Sequence, residues 1–119
     1  MPDEIYYDNS ATTRTREEAA KLVYEMLTEC YGNPSSLHRK GFEAQKRLDK
    51  AREQVASSLG CQSSEIYFTS GGTEADNIAI LGAARAQKRR GNRIVTTAFE
   101  HDAVLNTVKY LESEGWEII

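Results

Sequence analysis

Two adjacent glycines and a threonine, Gly71, Gly72 and Thr73, stand where a β-prone run gives way to a helical pattern. The first backbone N–H groups of a helix have no partner within it and lie at the positive end of its dipole. An anion can approach them only where side chains leave the backbone open, which glycine permits. The Thr73 hydroxyl could donate to a phosphate oxygen, and Ser70 could assist. The stretch therefore predicts a phosphate site at the start of this helix.

The same stretch also fits a purely structural strand-to-helix turn. In that interpretation Thr73 is the N-cap and Asp76 completes a box-like capping pattern. On local features alone the structural turn is the more frequent case. A phosphate monoester is favoured over a nucleotide, because the stretch lacks both the Gly-Lys-Ser/Thr ending of a P-loop and a GxGxxG pattern.

His101 lies just after another predicted strand and just before another predicted helix. The carboxyl ends of parallel strands are where ligands bind in open α/β folds. An imidazole there could stack on an aromatic ligand or exchange a proton near neutral pH. A solvent-facing helix-start residue is the commoner role for a single histidine. Two turns at one end of the sheet, one suited to an anion and one with an imidazole, favour a shared site.

The first half of the chain has two helical patterns. Thr15 and Glu18 predict a capping box before the first helix, and Gly32 in "YGNPSS" suits its C-cap. The second helix is predicted over about 39–59 and is closed by Gly60. The predicted apolar faces are Ala19, Leu22, Val23, Met26, Leu27 and Cys30 in the first helix, and Ala44, Leu48, Ala51, Val55 and Leu59 in the second.

Extended segments are predicted at 65–69, at 93–98 and from about 116 onward, with helices over about 73–90 and 102–114 between them. Strands separated by helices of this length form right-handed βαβ crossovers, so the expected fold is α/β with a largely parallel sheet. The sequence stops within an apolar strand, at Ile118 and Ile119. Parallel strands are normally buried on both faces, so we expect the front part of something larger.

Composition narrows the classes of function. The 119 residues, 39% of them hydrophobic, suffice for one core. The net charge of −3 does not favour a nucleic-acid partner, and no apolar run approaches the roughly 18 residues of a membrane span. Cys30 and Cys61 lack CxxC spacing and no leader-like segment opens the chain, so we expect reduced, buried thiols, a cytoplasmic location and no metal site.

Four segments carry a family resemblance: "YYDNSATT", "YGNPSSLH", "EIYFTSGGTEADNIAI" and "TTAFEHDAVLNT". Together they resemble the opening motifs of the cysteine desulfurases, in the class V branch of the fold-type I pyridoxal-phosphate enzymes. The resemblance runs from about residue 5 to the C-terminus. It implies a partial transferase domain over 1–119, in which 1–15 is an N-terminal extended segment and 16–119 begins the large cofactor-binding domain.

The resemblance also implies roles for single residues. Gly72 and Thr73 match the pair that contacts the cofactor phosphate. His101 matches the histidine that stacks over the pyridine ring and takes part in proton transfer. Asn33 lies in a loop near the family's active site, although a turn residue beside proline is an equally suitable role. His38 follows the same loop and is expected to be structural.

The implied activity is removal of sulfur from L-cysteine to an enzyme thiol, giving L-alanine, with pyridoxal 5'-phosphate as the electron sink. Family members are homodimers that pass the sulfur to an acceptor protein for iron-sulfur cluster or thio-cofactor assembly. The family's cofactor-binding lysine, pyridine-facing aspartate and persulfide cysteine lie in segments without a counterpart here, so we expect this chain alone to be inactive. Two other hypotheses remain open: a stand-alone phosphate- or nucleotide-binding module, and a non-catalytic interaction protein that works with a partner chain.

Overall fold

A computed structural model describes residues 5–119. They form two compact units, the first ending at Ile66 and the second formed by Tyr67–Ile119. The helices of the first unit are α1 (Glu17–Thr28) and α2 (Arg39–Leu59), followed by a 3-10 turn at Ser63–Glu65. The elements of the second unit are α3 (Gly72–Gln87), β1 (Arg93–Ile94), α4 (Asp102–Ser113) and β2 (Glu117–Ile118).

Helix α1 begins one residue later than the predicted capping box requires. Its N-cap is Arg16, which is extended, and no side chain caps it, so the capping box of Thr15 and Glu18 is wrong. Two glutamates in the first turn support the helix start through charge instead. None of its residues is buried, and on its predicted apolar face only Met26 and Cys30 are half-buried.

The loop after α1 packs tightly on the start of α2. The C-cap of α1 is Glu29, so the predicted C-cap role of Gly32 is wrong. A Cβ on Gly32 would overlap the carbonyl oxygen of Lys40, and one on Gly41 would lie 2.7 Å from the carbonyl oxygen of Asn33. Both glycines are therefore required by a close approach between backbone segments.

Helix α2 has the predicted bounds. His38 is its N-cap, and Gly60 ends it in the left-handed conformation at φ 68°. Within the predicted apolar face Ala44 is buried, but Val55 is exposed and Ala56 is buried instead. The 3-10 turn folds back on the last turns of α2, which places Ala56 on the inner side.

Within the described residues no strand forms at 65–69, so that prediction is wrong. Glu65 belongs to the 3-10 turn, where its carboxylate accepts the Gln62 N–H at 2.8 Å. Ile66 is extended, at φ −95° and ψ 124°, but it pairs with no strand among residues 5–119. A β-prone run needs a neighbouring strand for its backbone groups, and the described part of the chain pairs none with it.

The second unit contains the parallel sheet that the sequence predicts, although its strands are shorter than expected. Strand β1 pairs with β2 in parallel, Arg93 opposite Glu117, and helix α4 forms the crossover. The Thr96 N–H continues this pairing by donating to the Ile119 carbonyl at 2.8 Å. Leu111 is fully buried between the helices and the sheet, and the core around it includes Ala84 and Trp116.

The cysteines are less buried than predicted, because both are half-buried free thiols. Among residues 5–119, no helix is long and apolar enough to cross a membrane. In the same range, no group of three or more His, Cys, Asp or Glu side chains is arranged to hold a metal ion.

Candidate functional site

The start of α3 is open. Gly71 is its N-cap at φ 169° and ψ 179°, an extended conformation that any residue can adopt, and no side chain caps the helix. A Cβ built on Gly71 or on Gly72 would meet no described atom within 4 Å. Neither backbone strain nor packing within residues 5–119 therefore explains the two glycines.

Several donors at this helix start lack a partner. The Ala75 N–H closes the first turn by donating to the Gly71 carbonyl at 3.1 Å. The N–H groups of Gly72, Thr73 and Glu74 have no acceptor among the described residues, and neither does the Thr73 hydroxyl. Thr73 is thus not the N-cap of the structural interpretation. Three adjacent N–H groups and one hydroxyl form a donor set suited to a phosphate.

Glu74 binds the residue that precedes the glycines. Its Oε2 accepts the backbone N–H of Ser70 and the Ser70 hydroxyl, each at 2.7 Å. These bonds, the backbone one first, hold the pKa of the Glu74 carboxyl below its ordinary value. The Ser70 hydroxyl is therefore engaged by a carboxylate, and Glu74 rather than Asp76 is the acidic residue of this turn. A glutamate three residues after the N-cap was the sequence signal for it.

His101 is the N-cap of α4. Its Nδ1 accepts the Ala103 N–H at 3.1 Å, and the ring is exposed. Because Nδ1 is the acceptor, the proton of the neutral ring belongs on Nε2. His38 caps α2 in the same way, with Nδ1 accepting the Gly41 N–H at 3.3 Å. His101 therefore does have the helix-start role, and this bond occupies its Nδ1.

Thr73 and His101 line one cleft between α3 and α4. Its volume is about 250 Å³. Asn77 stands on its wall and donates to the Thr73 carbonyl at 2.8 Å. The lining residues are Thr73, Asn77, His101, Asp102, Ala103, Asn106, Thr107 and Tyr110. The structure thus brings together two of the three residues predicted for the cofactor, and Gly72 directly precedes one of them.

Tyr110, at the other end of this cleft, was not anticipated from the sequence. Its hydroxyl donates to Glu114 Oε1 at 2.7 Å, and the same oxygen lies 3.5 Å from Arg85 Nη2 on α3. The hydrogen bond to Glu114, and then the charge of that carboxylate, raise the pKa of Tyr110. The i,i+4 spacing of the tyrosine and the glutamate was the available signal.

Asn33 belongs to the first unit and has a turn role there. Its Oδ1 accepts the Ser35 N–H at 2.9 Å, and its carbonyl accepts the Ser36 N–H at 3.0 Å. A groove of about 630 Å³ with mainly apolar walls also lies in this unit, between residues of α1 and α2, and includes Cys30. It contains none of the residues predicted for the site.

Comparison with known proteins decides the family. The profile of the aminotransferase class-V family matches residues 5–119. The chain belongs to the aminotransferase class-V family. Among curated members it is 46% identical over 118 residues to "Cysteine desulfurase IscS" of Clostridium botulinum (strain Hall), covering 99% of this chain and 30% of that protein. It is also 46% identical over 114 residues to the protein of the same name from Methanosarcina thermophila, covering 96% of this chain and 28% of that one.

Solved structures of the family agree with the fold. A "NIFS-LIKE PROTEIN" superposes with a TM-score of 0.88 at 43% identity, over 97% of this chain and 32% of that chain. A structure titled "SspA in complex with cysteine" has a TM-score of 0.85 at 33% identity, over 96% of this chain and 33% of that one. The predicted fold class is confirmed: the chain is the N-terminal part of a fold-type I α/β domain, and it spans about 30% of the length of the curated relatives it matches.

Proposed function

We propose that this chain is the N-terminal part of a cysteine desulfurase and that it binds the phosphate of pyridoxal 5'-phosphate at the start of α3. The observation that carries the proposal is the open helix start, where neither backbone conformation nor packing of the described residues requires Gly71 and Gly72 to be glycine. The presence of these two glycines is explained if a ligand occupies the space in front of them. The names of the relatives supply the activity, and the donor set supplies the ligand chemistry.

The residues at the cleft fit such a cofactor. The Gly72 and Thr73 N–H groups and the Thr73 hydroxyl would hold the phosphate, aided by the positive end of the helix dipole. The exposed face of His101, on the wall shared with Thr73, would pack against the pyridine ring. When bound, the cofactor supplies an electron sink for bond breaking next to the amino group of the substrate.

His101 is proposed as the proton-transfer residue. Because its Nδ1 is held by the Ala103 N–H, only Nε2 is free to give or take a proton at a ligand. The N-cap bond also fixes the ring orientation, so the imidazole is positioned before any ligand arrives. The same bond that makes His101 a structural cap therefore makes it a better catalytic group.

The substrate we propose is L-cysteine, converted to L-alanine while its sulfur passes to an enzyme cysteine and then to an acceptor protein for iron-sulfur cluster or thio-cofactor assembly. Homodimerisation, a cytoplasmic location and a place for Asn33 beside the substrate are part of the same proposal. So is the division of a single partial domain into 1–15 and 16–119. Residues 1–4 lie outside the described residues.

We also propose that these 119 residues have no desulfurase activity by themselves. The lysine that would hold the cofactor covalently has no counterpart in this sequence, since neither Lys40 nor Lys109 stands directly after a histidine. A non-catalytic phosphate-binding module would use the same donors at α3 and is the second candidate. It differs in requiring neither His101 nor a partner segment for its function.

The test has two arms. In the first, pyridoxal 5'-phosphate and pyridoxal without the phosphate are titrated into the chain, and binding is followed by fluorescence and by the amide signals of Gly72 and Thr73. Binding that depends on the phosphate is expected. Equal or absent binding of both compounds would contradict a phosphate site.

The second arm joins residues 5–119 to the remaining two thirds of the Clostridium botulinum relative and measures sulfide release from L-cysteine. Turnover by this chimaera and none by the chain alone is the expected result. A chimaera that binds the cofactor but leaves cysteine intact would favour the phosphate-binding module.

A further inference from the structure

The carboxylate of Glu74 does not follow the usual arrangement at a helix start. In a capping box, the glutamate at the third helical position returns to the N–H of the N-cap residue. Here the N-cap is Gly71, and the Glu74 carboxylate passes it to bind the Ser70 N–H and hydroxyl instead. The carboxylate that could have accepted the open N–H groups at the start of α3 is thereby bonded to Ser70 instead.

This contact holds a turn that has few other restraints. A Cβ built on Gly71 or Gly72 would meet no described atom within 4 Å, and glycine has the greatest conformational freedom to lose on ordering. Apart from the Glu74 bonds, the Thr69 hydroxyl donates to the Gly71 carbonyl at 3.1 Å. The two bonds at 2.7 Å to Glu74 are the shorter, charge-assisted ones.

We propose that Glu74 is a positioning residue for phosphate binding: by fixing Ser70 it orders the glycine turn and keeps the Gly72 and Thr73 donors free and aimed at one point. The inference rests on the proposed function, because it assigns a role at that same site. Ser70 in this arrangement is a fixing point for the turn, and it does not donate its hydroxyl to the phosphate.

Two effects of Glu74 oppose each other. Its negative charge repels a phosphate, whereas its hydrogen bonds order the groups that bind the phosphate. The carboxylate is exposed, so the high dielectric constant of the surrounding water weakens the repulsion. The hydrogen bonds act at contact and are screened much less. Ordering therefore outweighs repulsion, and removing Glu74 should weaken phosphate binding.

The experiment uses the ¹⁵N-labelled chain and compares Glu74→Ala and Glu74→Gln with the wild type. Inorganic phosphate, pyridoxal 5'-phosphate and pyridoxal are titrated separately while the Gly72 and Thr73 amide signals are recorded. Glu74→Ala should lower the affinity for both phosphate compounds about tenfold, the effect of losing one charge-assisted hydrogen bond. Glu74→Gln, which keeps a neutral acceptor oxygen, should lose about threefold. The affinity for pyridoxal should not change.

Glu112→Ala is the matched control, because it removes an exposed carboxylate from α4 that has no side-chain partner among the described residues. It should leave all three titrations unchanged. Circular dichroism checks that α3 persists, and if Glu74→Ala loses helix, Glu74→Gln alone carries the test. Equal or tighter phosphate binding by the folded Glu74 variants would overturn the inference while leaving the proposed function standing. A wild-type chain that binds neither phosphate compound would overturn both.

Discussion

Two pairs of glycines lie at helix starts or pack against them, and they exist for different reasons. Gly32 and Gly41 in the first unit stand where backbone meets backbone, so a Cβ at either would collide with a carbonyl oxygen. Gly71 and Gly72 in the second unit stand in open space. The first pair is explained by the fold alone, whereas the second would be explained by the proposed phosphate ligand. A glycine that the fold does not need is therefore a stronger pointer to a ligand than a glycine that it does.

The two histidines give a second comparison of the same kind. His38 and His101 are both N-caps through Nδ1, with similar distances to their donors. Only His101 lines the cleft that also contains Thr73. The two histidines thus make the same local hydrogen bond, and they differ in whether a cleft lies beside the ring.

The largest expected effect separates these histidines. In the chimaera, His101→Gln should lower turnover by about 10² to 10⁴, the usual contribution of a positioned acid or base, because glutamine neither titrates near neutral pH nor offers an aromatic face. His38→Gln should change turnover little, since it alters only a cap. Stopped-flow absorbance and sulfide release measure both. Equal turnover in the two variants would remove His101 from the mechanism and leave it a cap.

The next effect tests the glycine comparison through stability. Gly41→Ala should lower the free energy of unfolding by about 3 kcal/mol, because its Cβ would press on carbonyl oxygens that cannot move independently. Gly72→Ala should leave it unchanged or raise it by less than about 1 kcal/mol, since alanine favours a helix more than glycine does. Urea unfolding followed by circular dichroism gives both values. A matching loss in Gly72→Ala would mean that the second pair is structural as well.

A smaller effect concerns the Thr73 hydroxyl. Thr73→Val keeps the shape of the side chain but removes a donor to an anion, a bond that contributes about 1.5–3 kcal/mol. The affinity for pyridoxal 5'-phosphate should fall roughly tenfold to a hundredfold, with helix content unchanged. Thr107→Val is a poor control because that hydroxyl is buried and bonded to the Ala103 carbonyl. Thr28→Val, in the first unit, is the better one. Undiminished affinity in Thr73→Val would restrict the site to backbone donors.

The smallest effect is a pH dependence at Glu74. Its pKa is lowered in the folded chain below the ordinary value of 4.5, so the bonds to Ser70 are present above that value and are lost as the pH falls through the folded pKa. The amide proton signal of Ser70 should titrate with this lowered midpoint, and Glu74→Gln should abolish the titration. A Ser70 midpoint at or above 4.5 would contradict the hydrogen bonds described here.

The sequence predicted the positions of the α helices well, because their apolar spacing and caps are local. The bounds of α2 and its Gly60 cap match the expectation. The strand expected at 65–69 failed because a strand depends on a neighbour, and the run of β-prone residues does not show whether one is present. Individual residues of the candidate site could be predicted from the sequence, as Thr73 and His101 were. The Ser70–Glu74 contact and the Tyr110–Glu114–Arg85 contacts were missed, because a suitable spacing does not show which of several polar partners each side chain reaches.

Those last contacts have a mechanical consequence. Thr73 and His101 line the cleft at the starts of α3 and α4, and Arg85 and Glu114 join the two helices near their C-terminal ends. A helix of 12 residues is about 18 Å long. A change of about 5° in the angle between the helices, pivoting at the joined end, would therefore move the His101 end by about 1.6 Å relative to Thr73. The Arg85–Glu114 ion pair, which the Tyr110 hydroxyl links to the lining of the cleft, lies at the end about which such a change would turn.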